Sequence, residues 1–342
     1  MKAAVLVKKG SAKEALKIQE IPDVHPTAEE VRIRVECFGL NYADVMARLG
    51  LYDAAPKLPA VVGYEVVGII DEVGSEVSKD LVGKRVVAFT RFGGYAEFAV
   101  TPADACAEIG AMNAAEACAI AVQYATAYYM SWDAINLYEG DKVMIHAGAG
   151  GVGTALIQLC KLKGCEIFAN AGSDDKLHYM SSQGADHVMN YRKSDYANEI
   201  SKRSQNIKLQ ATFNPIAGST FRKDLKLLGA GGKLLLFGGS ERSGKKWGLL
   251  SSLNFMRKMG LMIPIGLVMS SKSVLGVNML NIGDQQPKVL KRCMSEVIKL
   301  VKEDKIKPHV GAEFKANQIA EAHAFLESRD SIGKIVVYWE NN

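Results

Sequence analysis

Six cysteines in 342 residues are few, and Cys37, Cys106, Cys118, Cys160, Cys165 and Cys293 are scattered without a Cys-x-x-Cys pair. That excludes a disulfide-stapled secreted scaffold, and buried reduced thiols are the expectation. The six histidines (His25, His146, His178, His187, His309 and His323) are equally dispersed, and no two share the spacing of zinc ligands. No metal site is expected. Long apolar runs are missing too: the stretch 261–269 falls well short of a membrane helix and carries Pro264. Net charge is +5 without a basic block. The nearest thing, Arg242-Ser243-Gly244-Lys245-Lys246, reads as a solvated loop, so no nucleic-acid partner is expected. The chain opens on a strand-like Lys2-Ala3-Ala4-Val5-Leu6-Val7 with no signal or transit pattern, and a cytoplasmic protein is expected.

What the chain does have is Ala147-Gly148-Ala149-Gly150-Gly151-Val152-Gly153. The apolar run Lys142-Val143-Met144-Ile145-His146 before it reads as a buried strand. The spacing in Thr154-Ala155-Leu156-Ile157-Gln158-Leu159-Cys160-Lys161 after it fits an amphipathic helix. Strand, glycine-rich turn and helix together present unsatisfied backbone N–H groups to a pyrophosphate. Gly148, Gly151 and Gly153 satisfy G-x-x-G-x-G, a variant of the usual fingerprint, and an ordinary tight turn is the competing explanation.

Gly164-Cys165-Glu166-Ile167-Phe168-Ala169-Asn170 reads as the next strand, closing a βαβ unit of about 30 residues. An NAD site expects an acid at its tip to bind the ribose hydroxyls. The tip here is Asn170-Ala171-Gly172-Ser173, and Asp174 and Asp175 come later, followed at once by Lys176. A hydroxyl and a lysine suit a ribose 2′-phosphate, so NADPH is expected over NADH. Ser173 or Asp174 also suits a helix cap.

The length fits two domains, and 48% apolar residues are ample for buried sheets. Residues 1–123 carry short strands such as Val31-Arg32-Ile33-Arg34-Val35 and Arg85-Val86-Val87-Ala88-Phe89, separated by turns. From 124 to 280 strands alternate with helices, the pattern of a doubly wound parallel sheet. A tail of two helices (Lys288 to Glu303, Ala316 to Glu327) and the strand Gly333-Lys334-Ile335-Val336-Val337 is expected to rejoin the first domain. The fold class is α/β: domain 1–123 with 281–342, and domain 124–280, with the cofactor in the cleft.

Over nearly its whole length the chain resembles the zinc-independent quinone oxidoreductase branch of the medium-chain dehydrogenases. The matching pieces are Asn41-Tyr42-Ala43-Asp44-Val45-Met46-Ala47-Arg48-Leu49-Gly50-Leu51-Tyr52, Leu58-Pro59, Gly63-Tyr64-Glu65, the glycine turn, Asn190-Tyr191 and Gly333-Lys334-Ile335-Val336. Lys305-Ile306-Lys307-Pro308-His309 looks like the vesicle amine transport-like subgroup. One departure is Asn214, where the family usually has Asp.

The resemblance implies a GroES-like catalytic domain beside a Rossmann NADP-binding domain. Zinc-dependent relatives place Cys where this chain has Asn41, His where it has Tyr64, and a third ligand near Val122; none of these residues is an ordinary zinc ligand. Asn41, Tyr52 and Tyr64 become the expected catalytic residues, donating hydrogen bonds as charge spreads onto an acceptor oxygen. The expected cofactor set is Asn41, Thr126, Ala149, Gly150, Gly151, Val152, Ser173, Lys176, Tyr191, Phe237 and Gly238. Asp44 and Arg48 are expected to brace the loop as an i, i+4 pair rather than do chemistry.

The function implied is NADPH-dependent hydride transfer to a quinone or an α,β-unsaturated carbonyl. The alternative is a non-catalytic NADPH-binding structural or regulatory protein. The segment from Ser240 to Leu267, with Trp247 and Phe255, either lines a substrate pocket, covers it, or packs on the sheet. An apolar strand at residues 273–279 would be the last of the parallel sheet. Such an edge is an aggregation hazard unless covered, and in the resembled family it pairs across a two-fold axis, so a homodimer is expected.

Overall fold

The computed structural model describes residues 1–242 and 248–339, with side chains described outside 248–252. The expectations for Ser243, Gly244, Lys245, Lys246 and Trp247 lie outside the described residues. The strands run β1 (Lys2–Leu6), β2 (Leu16–Glu20), β3 (Glu30–Leu40), β4 (Ala60–Val61), β5 (Glu65–Val73), β6 (Arg85–Phe89), β7 (Phe98–Pro102) and β8 (Cys106–Glu108). Then come β9 (Lys142–Ile145), β10 (Glu166–Ala171), β11 (His187–Asn190), β12 (Leu209–Asn214), β13 (Leu228–Leu236), β14 (Ser273–Gly276), β15 (Val310–Lys315) and β16 (Lys334–Tyr338). They divide between two compact units, Met1–Thr126 with Met279–Asn342, and Ala127–Asn278.

The first unit is built mainly on antiparallel strands, with β15 and β16 paired in parallel. Its larger sheet has the order β15-β16-β3-β5-β6-β8, with β7 also paired to β3, and β1 lies between β2 and β4 in a small sheet. Val31, Ile33 and Val35 of β3 are buried while Arg32 and Arg34 point away. This alternation is what a sheet with one covered face requires. Phe38, Leu40, Val66, Ile70, Tyr95, Ile335 and Val337 continue the same core.

The second unit obeys the other pattern. Val143, Met144 and Ile145, and Ile167, Phe168 and Ala169, are buried in unbroken runs because both faces of their sheet are covered. The order is β11-β10-β9-β12-β13-β14 and every pairing is parallel. That order, reversing direction at β9, is the doubly wound nucleotide-binding arrangement, in which ligands lie at the C-terminal ends of the strands.

The last strand is shorter than expected. It stops at Gly276: the Val277 N–H makes the last bond to β13, to the Leu236 carbonyl at 2.8 Å, and Met279 then opens the helix Met279–Gln285. Pro264 does not break its segment but opens the short helix Pro264–Ser270, consistent with a residue whose fixed φ suits a first helical position. No helix among the described residues is long and apolar enough to cross a membrane.

Candidate functional site

The glycine turn follows β9, and Gly150 is the N-cap of the helix Gly151–Leu162. Two of the glycines are there for packing. A Cβ on Gly153 would run into the Ala147 carbonyl and stand 2.7 Å from the Gly148 Cα; one on Gly148 would stand 2.6 Å from the Met180 sulfur. A Cβ on Gly150 would meet only the Ala147 carbonyl, at 3.3 Å. The turn is therefore pressed against itself, β10 and the helix Asp174–Ser182 on one side and open at Gly150. First-turn N–H groups of a helix have no intrahelical acceptor. Those of Gly151 and Val152, with Ala149 beside them, lie at the helix N-terminus, where such groups can receive an anion.

At the end of β10, Ser173 is the N-cap of the helix Asp174–Ser182, yet its side chain makes no capping bond. Asp174 is spent elsewhere: it pairs with Lys193 and accepts from Asn190 Nδ2 at 2.8 Å, and these bonds hold its carboxyl below the usual range. Gly172 sits under Tyr191, where an added Cβ would lie 2.6 Å from the phenol oxygen and 3.3 Å from Arg192 Nε. Arg192, which the sequence did not single out, thus joins Ser173 and Tyr191 at this end of the sheet. Lys176 lies in the first turn of the helix that Ser173 opens. Phe237 and Gly238 follow β13; Phe237 donates its N–H to the Asn214 carbonyl at 3.2 Å.

In the first unit Asn41 ends β3 and caps the helix Tyr42–Arg48, in a reciprocal capping box with Asp44. Its Nδ2 donates to Glu65 Oε1 at 2.7 Å, and its Oδ1 accepts from Lys334 Nζ at 3.3 Å. Lys334 also pairs with Glu65, and both side chains are fully buried. Glu65 Oε2 accepts the Val122 N–H at 3.0 Å. Val122 belongs to a π-helical turn, Ile120–Tyr124, a geometry that often marks functional sites. Next to it, the buried Gln123 Oε1 has no hydrogen-bond partner among the described residues. Gly39 leaves the room for this cluster, since a Cβ there would stand 2.6 Å from Lys334 Nζ.

Glu65, Lys334 and Gln123 were not read as site residues from the sequence. The available signal was a charge at the mouth of each of two apolar strands, Glu65-Val66-Val67 and Lys334-Ile335-Val336.

Tyr64 is buried, with its ring edge-on to Tyr52 (6.3 Å) and tilted against Phe92 (5.3 Å). Burial first, then the neighbouring Asp44 and Tyr52, push the Tyr64 phenol far above its usual range, so it keeps its proton. Tyr42 and Tyr52 are half-buried, and Thr126 is buried in the helix Ala125–Tyr128. The expected Asp44–Arg48 brace is not formed. Asp44 instead accepts the Asn41 N–H at 2.8 Å, while the buried Arg48 donates to the Gly10 carbonyl and pairs with Glu327. A buried carboxyl at the third helical position caps the helix start, and Arg48 finds its partners on other elements.

Among the described residues no three His, Cys, Asp or Glu side chains come together as a metal-holding group. Asn41 is engaged with Glu65 and Lys334, Tyr64 holds its proton, and Val122 contributes a backbone N–H. These residues do not fit a zinc ion.

Residues 27–111 match the alcohol dehydrogenase GroES-like domain family and residues 151–303 the zinc-binding dehydrogenase family. The synaptic vesicle membrane protein VAT-1 homolog of Danio rerio is 33% identical over 313 residues, covering 91% of this chain but 64% of that protein. The Homo sapiens VAT-1 homolog is 30% identical over 327 residues, covering 94% of this chain and 82% of the relative. Among solved structures, human VAT-1 homolog-like protein superimposes with a TM-score of 0.86 at 28% identity, covering 100% of this chain and 99% of that one. Escherichia coli quinone oxidoreductase complexed with NADPH superimposes at 0.87 with 25% identity, covering 99% and 100%. The chain belongs to the medium-chain dehydrogenase/reductase superfamily of oxidoreductases, close to the VAT-1 homologs and the quinone oxidoreductases.

Proposed function

We propose that this chain binds NADPH and passes hydride to a quinone or an α,β-unsaturated carbonyl without a metal ion. The observation that carries the reading is the buried Asn41–Glu65–Lys334 cluster, rich in donors and unfit for zinc, in a chain that retains the nucleotide turn. Backbone groups of Ala149, Gly150, Gly151 and Val152 would hold the pyrophosphate. Ser173, Lys176, Tyr191 and Arg192 would hold the ribose 2′-phosphate. Phe237, Gly238, Asn41 and Thr126 are the remaining residues proposed for the cofactor.

When bound, NADPH supplies the hydride. A conjugated acceptor spreads the arriving charge onto a distant oxygen, which needs a placed hydrogen-bond donor. Asn41 Nδ2, Tyr52 and Tyr64 are the donors proposed for it, and a phenol that resists ionisation donates at any working pH. Stopped-flow measurement of NADPH oxidation against a panel of quinones and enones tests the reading. Turnover of at least one class is expected, with a slower rate in Tyr64→Phe. Tight NADPH binding without turnover of any acceptor would favour the non-catalytic alternative.

NADPH is expected to bind at least ten-fold more tightly than NADH, about 1.4 kcal/mol. Lys176→Ala and Arg192→Ala should each weaken NADPH while hardly changing NADH. Fluorescence titration of both nucleotides decides it, and equal affinities would sink the claim.

A homodimer built on β14 is part of the same proposal. β14 ends its sheet, and the segment before it leaves Leu261 at 88%, Val268 at 71% and Met269 at 84% exposure. An open apolar edge of this kind needs a cover, and a second copy of the chain supplies one. Gly276 offers a clean probe, because a Cβ there meets nothing within 4 Å. Gly276→Lys should leave the fold intact and yield a monomer by light scattering. A wild-type monomer of about 37 kDa at micromolar concentration would overturn the pairing.

A further inference from the structure

Two alanines of the second unit occupy backbone conformations that favour glycine: Ala147 (φ 52°) after β9 and Ala217 (φ 56°) after β12. β9 and β12 are neighbours in a parallel sheet, so both residues lie at its C-terminal edge. Strain of this kind persists only where the surroundings over-determine it.

Each alanine is held by an asparagine carbonyl. Asn170 Oδ1 accepts the Ala147 N–H at 3.2 Å. Asn214 Oδ1 accepts the N–H groups of both Ile216 and Ala217 at 2.8 Å. These bonds decide which way each amide faces, and the rest follows by donor and acceptor matching. Asn170 Nδ2 must donate to His146 Nδ1, 3.1 Å away. His146 then carries its proton on Nε2 and presents it to Asp224 at 3.0 Å. Asn214 Nδ2 donates to the other side of Asp224 at 2.6 Å and to Thr220 Oγ1 at 2.8 Å. Tyr196 donates to Asp224 Oδ1 at 2.8 Å. His146, Asp224 and Asn214 have no exposed surface.

We propose that Asn170, His146, Asp224 and Asn214 are positioning residues that lock the glycine turn and the 215–218 turn into one cofactor-ready unit. The proposal rests on the NADPH reading above but needs none of the four to touch the cofactor. It also accounts for the amide at 214. With Asp224 already acting as acceptor, a carboxylate at 214 would face it with no donor between them, and two acids so close cannot both ionise.

Asn214→Asp is expected to weaken NADPH at least ten-fold in a fluorescence titration. NADH should weaken by the same factor, because the turn is disturbed and not the 2′-phosphate contact. Exchanging the two groups, N214D with D224N, returns one acid and one amide to the chain of bonds. Affinity should recover to within about three-fold of wild type, a coupling expected only of residues in direct contact.

Should N214D fail to fold, Asn170→Ala carries the test by amide hydrogen exchange in the cofactor-free protein. Faster exchange at Ala147 together with Ile216 and Ala217 supports the coupling. N214D binding NADPH as wild type does, or exchange raised at Ala147 alone, overturns it. A wild-type chain that binds neither nucleotide would overturn the cofactor reading instead, while the exchange result still decides the coupling.

Discussion

Lys334→Met is expected to cost the first unit about 3–5 kcal/mol, the usual penalty for removing one partner of a buried ion pair. Lys334 and Glu65 are both fully buried, and Lys334 also donates to the Leu40 carbonyl at 3.3 Å. Without the ammonium, Glu65 keeps only neutral donors, Asn41 Nδ2 and the Val122 N–H, and a charge stranded away from water is the larger part of the loss. Adding Glu65→Gln to Lys334→Met removes that charge, so the double variant should be more stable than Lys334→Met alone. Full recovery is not expected, because a glutamine amide facing both Asn41 Nδ2 and the Val122 N–H can accept from only one. Thermal melting of the full chain, resolved into separate transitions for the two units, checks the order. A Lys334→Met protein that melts with wild type would mean that the pair contributes nothing.

Asp44→Asn should make the protein's stability respond to pH in a new way. Burial pushes the Asp44 carboxyl up to about 7, against the opposing pull of the Asn41 N–H, Tyr95 and Lys334. Because the folded value lies above the unfolded one, the contribution is fully present below about pH 4. It is lost as pH rises through 7, since only the unfolded chain ionises freely in between. His323, near Asp44 through their common neighbour Tyr95, runs the other way. Burial, then Arg48, lowers it to about 3, so its contribution is present above its ordinary value of 6.5 and fades as pH falls towards 3. In wild type the two slopes oppose each other over the shared window.

Removing Asp44 leaves the histidine slope alone. The melting temperature of Asp44→Asn minus that of wild type should therefore climb from pH 4 to pH 7 and level off above. At one pKa unit per 1.4 kcal/mol, the upper bound of the gain is about 4 kcal/mol. A difference that stays constant from pH 4 to pH 8 would show that Asp44 does not titrate with folding.

The fold was legible because both of its sheets announce themselves locally. Alternation in Val31-Arg32-Ile33-Arg34-Val35 reports one covered face, and the unbroken Val143-Met144-Ile145 reports two. The glycine turn was legible for the same reason, since Gly148, Gly151 and Gly153 fall within six residues. What stayed hidden depends on distant partners. Nothing near Glu65 says that its counter-ion stands 269 positions away, and nothing near Asn170 says that its amide turns inward to Ala147 and His146 rather than outward to a ribose. Arg48 misled for the converse reason. Its i, i+4 spacing from Asp44 was a real local pattern, but Gly10 and Glu327 offered the buried guanidinium better acceptors. The end of β14 was missed because Val277 keeps the strand's apolar character and its last bond to β13, while the helix that ends the strand begins only at Met279.

The place of β16 sets an order of events during synthesis. It lies inside its sheet, between β15 and β3, and pairs Ile335 with Leu40 and Val337 with Phe38. The second unit is one uninterrupted segment, Ala127–Asn278, and all its strand partners have left the ribosome before β15 and β16 are made. The sheet begun by β3 has to wait, with the edge at Phe38–Leu40 open and Glu65 without its counter-ion, until Lys334 emerges. Domains that complete early fold as units, whereas open edges are where growing chains associate wrongly. A chain interrupted before β16 should carry a finished nucleotide-binding unit joined to an adhesive, half-built partner. Quality control of this protein thus bears chiefly on residues 334–338, far in sequence from the turn that first discloses its chemistry.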